Sequence, residues 1–263
     1  GNADTCIVDL ECGKKLLFDY AHWKDFEDDK DLRIDLAKEL RKDLDENDRD
    51  YYDVVTFTHA DDDHIHGASE FFFLEHAQKY QDDDRVKIKE LWVPAAMIIE
   101  KGLENDAAIL RDEARYRLKS GEGIRVFSRP ERLKKWLEDQ GISLKDRIHL
   151  ITNAGSTIPG FSKETEGIEF FVHSPFSIVC DEQEIDRNEA SLVLQGSFKI
   201  TDTETRILLT ADTTHEVWSD IVNITKSKNN DDRLEWDIFK IPHHCSYKSL
   251  NSEKGKDETE PIE

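Results

Sequence analysis

The sequence has no long apolar run, no paired-cysteine motif and no phosphate-binding loop. A membrane-spanning helix needs roughly 18 consecutive apolar residues, and no stretch approaches that length. No signal-peptide pattern opens the chain. Because the four cysteines form no CxxC pair, we expect no disulfide framework, and the reducing cytoplasm is the expected compartment. Neither GxxxxGK[ST] nor GxGxxG occurs, so the usual sequence signatures of nucleotide binding are missing.

Positive charge is far outnumbered by negative charge. The chain carries 36 lysines and arginines against 58 aspartates and glutamates, a formal net charge of −22. Such a surface repels nucleic-acid phosphates and anionic membranes on average, because binding them depends on cationic side chains that displace counterions. With 37% hydrophobic residues, 263 residues can still bury a core. We therefore expect a solvated acidic surface on a single domain, residues 1–263, whose two ends look truncated.

Apolar patterns in the first half of the chain predict alternating strands and helices. "TCIVDLE" and "KLLFDYA" flank a glycine turn and predict a β-hairpin. "DLRIDLAKELRKDLDEN" predicts an amphipathic helix, because leucines recur every four residues, at Leu32, Leu36, Leu40 and Leu44. "YDVVTFTH" and "VKIKELWVP" predict strands, and "GASEFFFLEHAQKYQ" between them predicts a helix. Residues 95–147 are predicted to be a mainly helical elaboration within the domain.

Strands dominate the second half of the chain. One helix is predicted there, over "HEVWSDIVNIT". The predicted strands are "RIHLITNAG", "IEFFVHSP", "EASLVLQGSFKI", "TRILLTAD" and "WDIFKIPHH". Strands with interspersed helices indicate a layered α/β fold with antiparallel or mixed sheets rather than one parallel sheet.

The stretch "FTHADDDHIHGA", residues 57–68, places three histidines and three aspartates within residues 59–66. Imidazole nitrogens and carboxylate oxygens are the ligands of catalytic zinc. On an extended loop, alternate residues project to one side, so His59, Asp61 and Asp63 are expected to converge and His64 to face a second metal. Two ions about 3.5–4 Å apart are the usual arrangement for hydrolysing a phosphoester or acyl bond. The alternative for this stretch alone is a solvated polar loop.

Three later junctions add candidate ligands, each directly after an apolar strand. "EFFVHSP" supplies His173, "RILLTADT" supplies Asp212, and "FKIPHHCS" supplies the pair His243 and His244. Ligand-type residues at successive strand ends are what a site gathered along a sheet edge requires. A polar loop at residues 57–68 would not account for these junctions. The sequence therefore predicts one metal site assembled from several strands.

"THADDDHIHG" resembles the HxHxDH signature of the metallo-β-lactamase superfamily, with Asp61 in the place of the second histidine. This change resembles the hydrolase domain of the ComEC-type DNA-uptake proteins. Five further stretches resemble motifs of that group in the same order and extend the likeness over nearly the whole chain apart from residues 95–147: "GNADT", "KLLFDYA", "EASLVLQ", "LLTAD" and "KIPHHCS". The resemblance implies a four-layer αββα sandwich with two mixed β-sheets.

The resemblance also implies a set of metal ligands. His59 and Asp61 would hold the first metal, and Asp63 and His64 the second. Asp212 would bridge the two. The last ligand would come from His243 or His244; His244 is favoured because it precedes Ser246 in a His-x-Ser pattern. His173 is a further candidate for the first metal, in competition with Asn188.

Other residues near these motifs have expected roles around the metals. Asp63 is expected to orient the nucleophile. His66 is a candidate general acid and stands where the family usually has glycine; His215 and the unused member of the histidine pair are alternatives. Lys240 and Lys248, with His243, are expected to bind an anionic substrate. Asp19 is expected to hydrogen-bond to a ligand histidine, and Cys245 replaces a family glycine.

Together these predictions describe a hydrolase with two divalent metal ions. Zn²⁺ is the first choice, and Mn²⁺ is the alternative because carboxylates are hard ligands. A phosphodiester or nucleic acid is the favoured substrate, although the charge of −22 opposes a general nuclease. The alternatives are hydrolysis of a small ester, lactone or amide, and an effector or assembly component with a structural metal. The apparently truncated ends suggest a protein partner.

Overall fold

A computed structural model describes residues 3–201 and 203–252 and contains two mixed β-sheets surrounded by helices. This architecture confirms the predicted α/β class with mixed sheets. The ends that look truncated in the sequence, residues 1–2 and 253–263, lie outside the described residues.

The first sheet has six strands: β1 (Cys6–Asp9), β2 (Lys15–Phe18), β3 (Tyr51–Thr56), β4 (Lys87–Pro94), β5 (Ile124–Phe127) and β6 (Ile151–Thr152). They lie side by side in chain order. β1 and β2 form the predicted antiparallel hairpin, and all later neighbours are parallel. Because β2 to β6 are parallel, the loops that follow them leave from the same edge of the sheet.

The second sheet has four strands: β7 (Ile168–Ser174), β8 (Val193–Ile200), β9 (Thr203–Leu209) and β10 (Ile238–Phe239). Their order in the sheet is β10-β9-β8-β7. β8 is antiparallel to both of its neighbours, β7 and β9, whereas β10 runs parallel to β9. The segments after β9 and β10 therefore leave from the same edge.

The helices are α1 (Leu36–Asp45), α2 (Asp62–Ile65), α3 (Ala68–Phe71), α4 (Ala95–Ile99), α5 (Asn105–Ser120), α6 (Glu131–Asp139), α7 (Ser177–Cys180), α8 (His215–Ser227) and α9 (Tyr247–Leu250). Residues 95–147 are mainly helical, as predicted, and they also contribute β5 to the first sheet. The predicted helix in the second half is α8.

Alternate residues of the first sheet pack in two directions. Leu17, Val55 and Leu91 join the core under the helices α1, α4, α5 and α6. Their strand neighbours point to the opposite face and pack against the second sheet, where Trp92 meets Phe170 edge-on with ring centroids 5.7 Å apart. On the second sheet, Val193 of β8 packs against Val217 and Ile221 of α8. The two sheets thus share one core between them.

Two predicted helices differ from the structure. The first begins at Leu36, not near Leu32, because the Asp35 side chain caps it by accepting a hydrogen bond from Lys38 N at 3.1 Å. Leu32 precedes this cap and is 95% exposed. The helix predicted over residues 67–81 is wrong: α3 makes only one turn, and Phe72 then pairs with Val86 as an isolated β-bridge.

No helix in the described parts of the chain is long and apolar enough to cross a membrane. Cys6, Cys12, Cys180 and Cys245 are all free thiols.

Candidate metal centre

Histidines and aspartates from distant parts of the chain meet where strands of both sheets end. Asp19 directly follows β2, and the segment after β3 contains His59 and, in α2, His64. Asp212 follows β9 by three residues, and His244 comes shortly after β10. Since β2 and β3 are parallel, and β9 and β10 are parallel, each pair of loops leaves its sheet at one edge.

We expected an extended loop after β3. Instead, α2 turns the chain at Asp62. This helical turn brings His59, Asp63 and His64 together with ligand atoms within 4.8 Å of one another. The rings of His59 and His64 are in contact, with centroids 4.1 Å apart. Asp62 is exposed, as predicted.

A second group shares His64 with the first and adds Asp4, Asp212 and His244, again with ligand atoms within 4.8 Å. His64 Nε2 is 3.1 Å from Asp212 Oδ1. His244 Nε2 is 3.3 Å from Asp212 Oδ2 and 3.1 Å from Asp63 Oδ2. The two groups therefore adjoin each other, linked through His64 and through the contact between His244 and Asp63.

Three of the potential metal-ligand atoms at the centre make no well-aligned hydrogen bond. His59 Nε2, His64 Nε2 and Asp212 Oδ1 are buried, and none of the three makes a well-aligned hydrogen bond, although His64 Nε2 and Asp212 Oδ1 are 3.1 Å apart. Buried polar atoms without partners are rare because their desolvation is not compensated. A divalent cation would bind imidazole nitrogen and carboxylate oxygen directly and satisfy these atoms. The residues present thus fit a metal site.

Neighbouring groups hold the central histidine in place. Asp19 Oδ2 accepts a hydrogen bond from His64 Nδ1 at 2.7 Å, so the predicted contact of Asp19 with a histidine of the motif is confirmed. The same carboxylate accepts hydrogen bonds from the backbone N and the Oγ1 of Thr58, both at 2.7 Å. With Nδ1 engaged in this way, Nε2 of His64 is the nitrogen that faces the centre.

Asp61 lies beside the centre but in neither group. Arg187 Nη1 donates to Asp61 Oδ1 at 2.8 Å, and the same guanidinium binds Glu100 through Nε and Nη2. The other oxygen, Oδ2, is 3.7 Å from His59 Nε2. Arg187 therefore fixes the side chain of Asp61 while leaving one of its oxygens directed toward His59.

The histidine pair lies in an unusual backbone segment. His243, His244 and Cys245 all have left-handed conformations, with φ of 51°, 52° and 64°. His244 belongs to the second group, whereas His243 Nε2 is 4.0 Å from Asp212 Oδ2. Cys245 has the positive φ that glycine adopts without steric cost. Such strained segments persist where the surrounding structure holds them, often at functional sites.

Burial and charge shift the pKa values of the central groups in opposite directions. Burial, followed by repulsion from His64, lowers the pKa of His59 to about 4. Burial opposes protonation of His64 as well, but the carboxylates of Asp19 and Asp212 raise its pKa to about 10. Despite burial, the surrounding histidines, led by His64, hold the pKa of Asp212 well below its usual value. Clustered shifts of this kind are typical of functional sites.

Some predicted residues lie outside both groups. His66 stacks on Trp23, with ring centroids 3.6 Å apart and planes 7° apart. His173 is buried on β7 beside Phe171, and it lines a different cavity, below α8. His215 is the first residue of α8, and Asn188 is in neither group.

The two lysines expected near the histidine pair have different surroundings. The ammonium of Lys240 forms an ion pair with Asp4, so its charge is partly neutralised within the centre itself. Lys248 is exposed on α9. Lys240 is therefore a neighbour of the candidate metal ligands, and Lys248 lies at the surface.

Two residues of the centre were missed in the sequence. Asp4 belongs to "GNADT", which already resembled a family motif, so its position carried a usable signal. No local sequence pattern pointed to Arg187, because its partner Asp61 is 126 residues away in the sequence.

No model of a known protein family matches this chain, and no curated protein shows significant similarity to it.

Proposed function

We propose that this chain is a metal-dependent hydrolase that cleaves phosphodiesters, built on a metallo-β-lactamase-like αββα sandwich. One observation carries the proposal. Three buried ligand-type atoms, His59 Nε2, His64 Nε2 and Asp212 Oδ1, converge in a cluster of histidines and aspartates, and none of them makes a well-aligned hydrogen bond.

Two features support the proposed fold. Helices cover one face of the first sheet, the two sheets share a core, and α8 covers the outer face of the second sheet. The motifs that resemble the superfamily supply residues to one place: the loop after β3, Asp212 after β9, and His244 after β10.

Two adjoining groups would hold the metal ions, Zn²⁺ or Mn²⁺. One is His59, Asp63 and His64; the other is Asp4, His64, Asp212 and His244. Asp61, through its free oxygen, is a further candidate for the first group. Bound divalent ions supply a water of lowered pKa and offset negative charge on the substrate.

The chain's own residues prepare this chemistry. Asp19 and Thr58 orient His64, and Arg187 orients Asp61. Asp63 is partly exposed, at 33% of its side chain, so it can contact a substrate and position the attacking water. His243, which lies beside Asp212 without belonging to either group, is proposed to donate a proton to the leaving oxygen. His66 is less suited to this role because Trp23 covers one face of its ring.

Metal content and phosphodiesterase activity test this proposal together. We expect the purified chain to bind two divalent ions and to hydrolyse bis(p-nitrophenyl) phosphate. Asp63→Ala removes a ligand from the first group and should reduce metal content and lower kcat/KM by at least about 100-fold, the usual scale for loss of a group that acts in the transition state. Asp62→Ala, which alters an exposed neighbour, should retain both ions. A chain that binds no metal and hydrolyses no diester would exclude this function.

A further inference from the structure

A large open cleft of about 1130 Å³ lies beside the candidate metal centre. Its walls come from β1, from the segment between β2 and α1, and from the first turns of α1. Asp63, a member of the first metal group, also lines it. A ligand in this cleft would therefore reach the candidate reaction centre.

The cleft is lined by apolar side chains that remain exposed. Leu32 is 95% exposed and Ile34 is 64% exposed, and Ile7 and Trp23 each expose more than a third of their surface. Single exposed apolar residues are ordinary on proteins, but several on one concave surface mark a binding site. The cleft therefore has the composition of a site for an apolar group.

Hydrogen bonds hold the exposed residues in place. The Asp31 carboxylate accepts hydrogen bonds from the backbone N of Asp25 at 2.7 Å and of Arg33 at 2.8 Å. Asp35 then caps α1. Leu32 and Ile34 lie between these two anchors, so their outward position is part of an ordered turn.

The charge of the cleft opposes a polyanionic ligand. Asp31, Glu39, Asp62 and Asp63 line it, and among its described residues the one cation is Arg33. The Arg33 guanidinium is bound to Asp31, at 2.9 Å from Nη2 and 3.0 Å from Nε. A nucleic-acid strand would meet uncompensated carboxylates there, whereas an uncharged alkyl or aryl group would not.

We propose that the cleft binds an apolar substituent of the substrate, so that the substrate is a phosphodiester with an aliphatic or aromatic ester group. This inference rests on the proposed hydrolase function. In the reaction, water adds to phosphorus, the P–O bond to one alcohol breaks, and that alcohol leaves with a proton. The products are a phosphomonoester and an alcohol.

A series of methyl, butyl and octyl p-nitrophenyl phosphates tests the proposal with the metal-loaded chain. Water releases p-nitrophenol, and the alkyl phosphate remains as the second product. We expect kcat/KM to rise along the series, by up to about fourfold for each methylene that enters the cleft, since burying a methylene is worth about 0.8 kcal/mol.

Two cleft variants and a matched control locate the effect. Ile34→Asp and Leu32→Asp each place a charge at an apolar position of the cleft, so each should lower the octyl-to-methyl ratio of kcat/KM at least tenfold. Ile178→Asp changes an equally apolar residue, 75% exposed on α7 and outside the cleft, and should keep the wild-type ratio.

The inference would be overturned if kcat/KM did not rise with the length of the alkyl chain. It would also be overturned if both cleft variants left the octyl-to-methyl ratio of kcat/KM unchanged. A thymidine dinucleotide hydrolysed with higher kcat/KM than the octyl ester would overturn it as well. If no diester is hydrolysed, the proposed hydrolase function is wrong. The cleft is then tested separately by comparing the affinities of octylphosphonate and methylphosphonate in calorimetry. Tighter octyl binding that Ile34→Asp abolishes supports an apolar site; equal binding excludes one.

Discussion

The carboxylate of Asp19 has three hydrogen bonds to accept, and an amide cannot accept all of them. It receives the backbone N and Oγ1 of Thr58 and the Nδ1 of His64, each at 2.7 Å. In Asp19→Asn one oxygen becomes an NH₂ donor, so at least one of these bonds is lost. We expect a folded variant whose metal affinity, measured by competition with a chelator, is 10- to 100-fold lower, the usual effect of losing such a supporting group.

Asp9→Asn is a suitable control for Asp19→Asn. Asp9 lies at the end of β1 and pairs with Lys15, outside both metal groups. Its variant should keep wild-type metal affinity. Unchanged affinity in folded Asp19→Asn would show that Asp19 does not support a metal ligand.

Residue types in the sequence predicted most of the centre but not its geometry. His59, His64, Asp212 and one member of the His243/His244 pair were predicted because each follows an apolar strand. The structure brings His244 together with the other three. The position of Asp61 depends on Arg187, a contact made in space by a distant loop. His173 also follows an apolar strand, yet it lies in neither group. Residue type after a strand does not determine which way a side chain points.

At the scale of single elements, α5 contains a buried ion pair. Glu113 and Arg117 are 0% and 2% exposed, and Arg117 Nε donates to Glu113 Oε1 at 2.6 Å. Arg117 Nη1 also donates to backbone oxygens of Ile88 and Gly123. The pair thus attaches α5 to the adjoining strands of the first sheet. Removing Glu113 would leave Arg117 with only the half-exposed Glu75, whose Oε1 is 3.1 Å from Arg117 Nη2, as a partner for its buried charge.

Glu113→Gln should therefore lower the free energy of unfolding by about 3–5 kcal/mol near neutral pH. Burial would raise the pKa of Glu113, but Arg117 more than offsets this and holds it below the usual 4.5. A carboxyl with a lowered folded-state pKa contributes stability above its unfolded pKa and loses it as pH falls through the folded value. The difference between wild type and variant should then shrink below about pH 4.5, as urea titrations at several pH values can measure.

Lys135→Gln provides the contrast for this measurement, because its partner Asp139 forms an exposed pair on α6. Exposed pairs contribute about 0–1 kcal/mol, so this variant should unfold almost as wild type does. A Glu113→Gln difference that stays constant from pH 7 to pH 3 would show that folding does not lower the pKa of Glu113.

Element boundaries show where periodicity alone is insufficient. The leucine stripe correctly predicted the buried face of α1, formed by Leu36, Leu40 and Leu44. The leucine stripe also placed the start of the helix too early. Leu32 fits the four-residue spacing, but it precedes the Asp35 cap. Near Phe72 the apolar pattern was helical, but pairing with Val86 and burial against aromatic side chains favoured extended backbone. Such tertiary contacts are invisible in a local pattern.

For the whole molecule, the candidate centre joins parts that are far apart in the chain. Its members extend from Asp4 to His244 and come from segments that adjoin both sheets. In the unfolded chain these residues are dispersed, so a metal ion binds the folded state in preference. Ligand binding of this kind stabilises a protein by RT ln(1 + [L]/Kd), about 2.7 kcal/mol at 100 times Kd.

Metal removal should consequently weaken the whole fold. We expect a chelator to lower the midpoint of thermal unfolding of the metal-loaded chain, with excess Zn²⁺ restoring it. Asp212→Asn, which weakens a ligand of the second group only, should have a lower midpoint than the wild type, and the chelator should lower that midpoint by less than it lowers the wild type's. The chelator should act on Asp62→Asn as it does on the wild type, because this exposed residue belongs to neither group. An identical midpoint with and without bound metal would mean that the ions do not link the segments that form this centre.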